Sequence, residues 1–416
     1  MDNLREGYLS QYFDAVFIKR LSAVEADTHR SNQHELNGTS PLRALFGDSR
    51  ITDYPAYFMW LGGENEGFTE ESTITWYDAR ASHPTRSEYR LYYKSNPVME
   101  LASESDLLVV ARRPDGSLYF MVAPSASTIE RQLIWLFSVP EQLGPEFRQQ
   151  DMAGKRDIQI DFVVRYILEE LGIEVQEADL ATLDHFLEPY ISSGFPTTRE
   201  FSELARRISG DVYISEDPDT TLVTWMNTEE RLFRRLEGFI INARLSAGFY
   251  ENGGADIDAF LRFSKSVQNR RKSRVGYALE HHLSEIFRRL DLRYVRNPVT
   301  ERRSRPDFIF PGIDEYTDDL FPESGLTMLG VKSTCKDRWR QILTEAERIK
   351  QKHLFTLEPG ISHYQTEEMK ANSLQLVLPT QLHDTYSASQ KGWLINLQSF
   401  IRMVMTRQES STGSKR

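Results

Sequence analysis

The chain has 416 residues, 40% hydrophobic and 27% charged, the balance of an ordinary globular protein and enough length for two or three domains. Its single cysteine, Cys335, excludes an internal disulfide and a cysteine cluster for zinc, and is read as core packing. A formal net charge of −11 argues, taken whole, against a nucleic-acid binder. The lack of an apolar run of about 18 residues, or of a basic-then-apolar start, points to a cytoplasmic location.

Residues 1–150 are strand-rich. Apolar or alternating runs stand at 15–18, 57–60, 73–77, 89–93 and 107–110. The last passes through Pro114-Asp115-Gly116 into 118–122, a hairpin signal. Residues 133–137 fit either a strand or a buried helix. Many short strands with turn residues between them predict a small closed barrel.

From about 151 the spacing becomes helical. Helices are expected over 158–171, 181–187, from Arg199, from Trp225 to Ala247, and around Val275 to Leu290 with Glu280 beside its apolar stripe. Residues 215–221 read as an acidic loop. Between Arg262 and Arg305 stand 13 Lys and Arg against four Asp and Glu. A charge cluster is usually a solvated face; it can also serve as a phosphate-binding surface, with Arg271 and Lys272 in it. Strands follow, the second headed by Asp307 and the third closed by Lys332, then a helix with Glu345, then strands at 354–357 and 374–378. That alternation predicts a mixed α/β sheet with helices on both faces. A last helix, 393–405, precedes a polar tail that reads as disordered.

The segment 305–345 concentrates the chemistry. Arg305-Pro306-Asp307 opens one short apolar run and Lys332 ends the next. The spacing of Trp339, Ile342, Leu343, Ala346, Ile349 and His353 predicts a helix with Glu345 on the edge of its stripe. Two carboxylates and a lysine can thus converge, as metal-assisted phosphodiester hydrolysis requires: Asp307 and Glu345 to hold Mg²⁺, and Lys332 beside the attacking water. Without further support, a turn aspartate, a snorkelling lysine and a solvated glutamate describe the same residues better.

The support is a resemblance. Asn269 to Arg274 with Glu280, Arg305-Pro306-Asp307-Phe308, the run from Val331 to Leu343 with Glu345, and His353 to Leu357 resemble the catalytic core of the EcoRII-type restriction endonucleases, within the PD-(D/E)xK superfamily. In that family the second carboxylate is displaced onto the following helix. Gly330 stands here where that carboxylate is usual, and Glu345 is implied in its place. The resemblance implies Asp307, Lys332 and Glu345 as the catalytic core, Glu280 as a further acidic residue, and Tyr316 in a supporting role. It implies that Lys336, Asp337 and Arg338 read the G·C pairs of a site beginning CC and ending GG; the donors and acceptors suit those base edges.

The N-terminal region resembles, more loosely, the DNA-binding pseudobarrel that serves EcoRII-type enzymes as an effector domain. Phe17 to Ala23, with Lys19, and Thr85 to Arg90 carry the similarity. Arg86, Glu88 and Arg90 alternate, so an extended strand would present all three on one side; a cross-strand ion-pair ladder is the other reading. Asn32-Gln33-His34-Glu35 fits a further DNA-facing loop or a turn. The expected architecture is a β and α/β multidomain protein: a pseudobarrel and helical linker over 1–180, an endonuclease domain over 190–405, and a disordered tail over 406–416. The implied partners are double-stranded DNA, at up to two sites at once, and a second copy in a homodimer. A sequence-specific DNA-binding regulator with a degenerate nuclease fold, and a structure-specific repair nuclease, are the alternatives.

Overall fold

Strand runs before residue 151 and alternating helices and strands after it divide the chain as their patterns suggest. In the computed structural model, residues 8–26, 34–140, 142–150, 152, 161–173, 175, 183–210, 213–251 and 254–413 are described, without the side chains of Glu251, Lys272, Asp337 and Thr412. Two compact units emerge, 1–176 with 359–364, and 177–358 with 365–416.

The first unit is built on an eight-stranded sheet in the order β2-β5-β4-β3-β7-β6-β1-β8. Its strands are β1 (Ala15–Arg20), β2 (Glu35–Asn37), β3 (Ile51–Trp60), β4 (Thr69–Asp78), β5 (Tyr89–Tyr93), β6 (Leu107–Arg112), β7 (Leu118–Ala123) and β8 (Arg148–Gln150). All pairs are antiparallel except β3 with β7. The hairpin expected at Pro114-Asp115-Gly116 is β6–β7, and residues 133–137 fall mostly in a helix, Thr128–Leu136, capped by Ser127. The expected pseudobarrel is present as a curled half-barrel, not a fully closed one: among the described residues β2 and β8 are its two edges, each only three residues long. Short edge strands limit what an unpaired ladder exposes. One face buries Phe17, Phe58, Trp76, Leu91, Tyr93, Val110 and Phe120.

The second unit begins with helices Asp184–Ser193, Thr198–Ile208, Pro218–Ala247 and Ile257–Arg289. The third starts seven residues before Trp225, inside the stretch read as a loop, because Asp217 accepts from Thr220 N–H and Pro218 fills the first turn, where no N–H is missed. Leu187, Phe201, Leu204, Phe233 and Leu236 join three of these helices. Then comes a five-stranded sheet, β11 (Val295–Arg296), β12 (Phe308–Phe310), β13 (Thr327–Lys332), β14 (Lys352–Thr356) and β15 (Leu374–Val377), paired in that order. A minor hairpin, β9 (Tyr250–Glu251) with β10 (Gly254–Ala255), precedes it. β11, β12 and β13 are antiparallel; β13, β14 and β15 are parallel, with helix His363–Ala371 in the crossover. The polar tail is corrected as well: the final helix runs Leu397–Gly413, and Arg407 donates to Leu326 O and Thr327 Oγ1, so this end is docked. Residues 414–416 lie outside the described residues.

Candidate active site

The antiparallel register sets Phe308 against Leu329, so Asp307, one residue earlier, stands beside the end of β13 that carries Lys332. Asp307 Oδ2 accepts from the Val331 backbone N–H at 2.6 Å and from Lys332 Nζ at 3.3 Å. Strand pairing and a backbone donor thus hold the carboxylate in place before any ligand arrives.

Gly330 explains why no second carboxylate comes from β13. A Cβ there would lie 2.6 Å from Ile342 Cδ1 and 3.0 Å from its Cγ1, so the following segment packs on the bare backbone. That segment corrects the expected helix. Residues Lys336–Thr344 form a 3₁₀ run, Glu345 is extended (φ −88°, ψ 148°), Ala346 turns left-handed at φ 47°, and His353 already belongs to β14. Trp339, Ile342, Ala346 and Ile349 are all buried, so the apolar spacing marked the core-facing side correctly while overstating the helix. Glu345 N–H donates to Ile342 O at 3.1 Å, which ties its position to the residue packed on Gly330.

Asp307 and Lys332 lie within electrostatic reach of two further acids, Glu345 and Glu280. Burial pushes Glu345 up to about 7, with Lys332 and Lys352 pulling the other way and Asp307 adding to the rise. Glu280 is raised too, first by burial and then by Asp307, while Arg296 and Lys332 oppose the rise. Arg296 pairs with Glu280 at 2.9 Å from the adjoining β11; nothing in its spacing marks that role in the sequence. Two acids raised by burial and by the charge of Asp307, with Lys332 countering both, form a site that gains from a cation. Glu345 Oε2 is buried with no partner, and both bonds to Asp307 fall on Oδ2. Among the described residues no three His, Cys, Asp or Glu cluster tightly enough to cage an ion. A cation held by one or two carboxylates, waters and phosphate oxygens, the habit of Mg²⁺, fits these donors.

The other expected residues separate. Tyr316 is buried and its hydroxyl goes to Glu301 at 2.7 Å, outside the Asp307–Lys332 pair. Lys336 and Arg338 are exposed on the 3₁₀ run, with Arg338 Nη2 on Thr334 Oγ1 at 2.6 Å; the Asp337 side chain is outside the described residues. Arg271 pairs with the buried Glu237 at 2.7 Å, and the Lys272 side chain is outside the described residues. At least seven of the 13 basic residues between 262 and 305 (Arg271, Arg274, Arg288, Arg289, Arg293, Arg296 and Arg302) pair with carboxylates, so the basic stretch is less free for phosphate than its count implies.

In the first unit Lys19 is a correction. It shares its face of β1 with Ala15 and Phe17, is 1% exposed, and pairs with buried Glu25 at 2.5 Å, so it has no surface to offer a duplex. His34 packs edge-on to Tyr93 with its Nδ1 buried and unpartnered, while Asn32 and Gln33 lie outside the described residues. Arg86 is exposed and, like Glu88, lies in the irregular segment before β5, so of the three only Arg90 stands on the strand. Glu88 is bracketed by Arg80 and Arg90, and Arg90 also reaches Asn37 Oδ1.

Residues 233–401, which include Asp307, Lys332 and Glu345, match the family model described as EcoRII C terminal. The region is EcoRII-like by a second comparison: the type II restriction enzyme EcoRII of Escherichia coli is 40% identical over 208 residues, 50% of this chain and 50% of that one. The match therefore spans half the length of that relative. Among solved structures, metal-depleted Ecl18kI in complex with uncleaved DNA aligns with a TM-score of 0.45 at 15% identity, covering 56% of this chain and 86% of that one. A PspGI restriction endonuclease–substrate DNA complex aligns with a TM-score of 0.44 at 16% identity, covering 53% and 96%.

Proposed function

We propose that the chain is a type II restriction endonuclease that hydrolyses one phosphodiester in each strand of a CC…GG-type duplex site, leaves 5′ phosphates, and works in the cytoplasm. The observation that supports this reading is the Asp307–Lys332 contact at the end of β13, with Glu345 under the charge of both, inside the EcoRII-like region. Asp307 and Glu345 would hold Mg²⁺, which when bound neutralises phosphate charge and lowers the pKa of a coordinated water. Lys332 supplies fixed positive charge next to the attacked phosphate in a partly dehydrated site. Val331 N–H keeps the Asp307 carboxylate oriented through the reaction. Glu280, steered by Arg296, borders the same charge cluster.

Lys336, Asp337 and Arg338 are proposed to read the G·C pairs, since Lys and Arg suit guanine O6 and N7, and Asp accepts from cytosine N4. Cutting both strands of a symmetric site calls for two active sites, hence a homodimer with a two-fold axis. In this reading the first unit binds a second copy of the site, with Arg86, Glu88 and Arg90 at the DNA. It activates the nuclease only if that DNA has unequal affinity for the inhibited and active states. A plasmid digest with and without Mg²⁺ tests the proposal. Discrete Mg²⁺-dependent fragments ending in CC…GG sites are expected; binding without cutting would favour a regulator, and sequence-independent nicking a repair nuclease.

A further inference from the structure

Lys352, the first residue of β14, is 6% exposed, and the reaction outlined above makes no use of it. Its Nζ donates to Ile349 O at 2.9 Å and to Ala346 O at 3.5 Å. Those carbonyls bracket the turn that begins directly after Glu345. Ile349 N–H returns to Ala346 O at 2.9 Å, closing the turn on itself. Ala346 holds φ 47°, a conformation that a side chain with a Cβ keeps only where its surroundings fix it. β14 in its turn is hydrogen-bonded between β13, which carries Lys332, and β15. The carboxylates of Glu301, Glu345 and Glu347 all act on the buried ammonium, so it also offsets negative charge behind the site.

From this geometry we infer that Lys352 is a positioning residue, tying the turn 346–349 to the sheet and thereby aiming Glu345 at Asp307 and Lys332. The inference rests on the proposed role of Glu345 in holding the metal ion. A lysine that merely satisfied two carbonyls would affect stability and leave ion binding alone.

The test uses the full-length chain and Lys352→Met and Lys352→Arg variants. Mn²⁺ alone is titrated and followed by electron paramagnetic resonance, with amide exchange measured across residues 345–350. Lys352→Met should weaken Mn²⁺ binding by about ten- to a hundredfold, the usual cost of losing a group that orients a ligand. It should also speed exchange in the turn, and Lys352→Arg should restore part of both. A folded Lys352→Met variant with unchanged Mn²⁺ affinity would overturn the inference. Should that variant not fold, exchange in the unaltered protein decides: Ile349 N–H protected like β14 supports the tether, and a free-loop rate refutes it. Failure of the unaltered chain to bind Mn²⁺ would defeat the metal-site reading itself, and the tether then stands or falls on the exchange data.

Discussion

Lys332 is the one cation bonded to Asp307 among the described residues, and it also counters the charge of Glu345 and Glu280. Replacing it by Ala should therefore lower cleavage by about a hundredfold or more, the scale of losing one preorganised charge-stabilising donor. DNA affinity measured without metal should change little; equal loss of both would assign Lys332 to recognition or folding. Glu345 carries the pH dependence. Its pKa rises from 4.5 to about 7 on folding, so between those values the folded protein keeps a proton that the unfolded chain has released. That contribution favours the fold below pH 4.5 and is lost as pH rises through the window. Ion binding needs the proton gone, so the Mn²⁺ concentration for half-saturation should climb as pH falls below 7, approaching about tenfold per pH unit. A pH-independent Mn²⁺ affinity would contradict this. The roles proposed for Asp307, Lys332 and Glu345 rest on residue type, order and a family resemblance, and of their geometry the Asp307–Lys332 contact was legible in the sequence. Lys19 was not: its identity said surface, whereas its place in the β1 alternation, opposite a buried Glu25, decided otherwise.

Among elements, β13 and the 3₁₀ run after it form one device. Gly330 admits Ile342, and Ile342 O receives the N–H of Glu345, so the missing carboxylate on the strand and its replacement after the run are two sides of one packing choice. Gly330→Ala should cost about 1–3 kcal/mol, as overpacked cores do, and displace Glu345 with Ile342. Thermal unfolding should show a lower midpoint and Mn²⁺ titration a weaker affinity; an unchanged midpoint would mean that Ile342 moves aside freely. Strand positions were read well from the sequence, because β3 to β7 alternate or run apolar between turn residues. The segment 336–349 was read as a helix because its buried positions fall at spacings of three and four, which a 3₁₀ run and a turn also produce. The left-handed Ala346 that breaks the pattern has no signature of its own, since alanine favours helices. The open edges of the first sheet were equally hidden, because strand count does not say whether the last ladder closes.

At the scale of the molecule, the main division between the units falls at 176/177, and the EcoRII-like match over 233–401 lies in the second apart from residues 359–364, which belong to the first. Removing residues 1–180 should leave a protein that cuts DNA bearing a single site at least as well as the whole chain. A folded but inactive truncation would remove the effector role proposed for the first unit. The change of periodicity near 151 was legible, and so was a last helix over 393–405, whereas its extension to Gly413 was not, because residues 406–413 have the polar composition of a tail and Arg407 is bonded to distant residues, Leu326 and Thr327. The proposed reaction needs one ion between two carboxylates. Crystals of the full chain with a CC…GG duplex and Mn²⁺ should give an anomalous peak about 2.0–2.4 Å from carboxylate oxygens of both Asp307 and Glu345, with the scissile phosphate alongside. A bound duplex with no ion there, or an ion held without either residue, would contradict it.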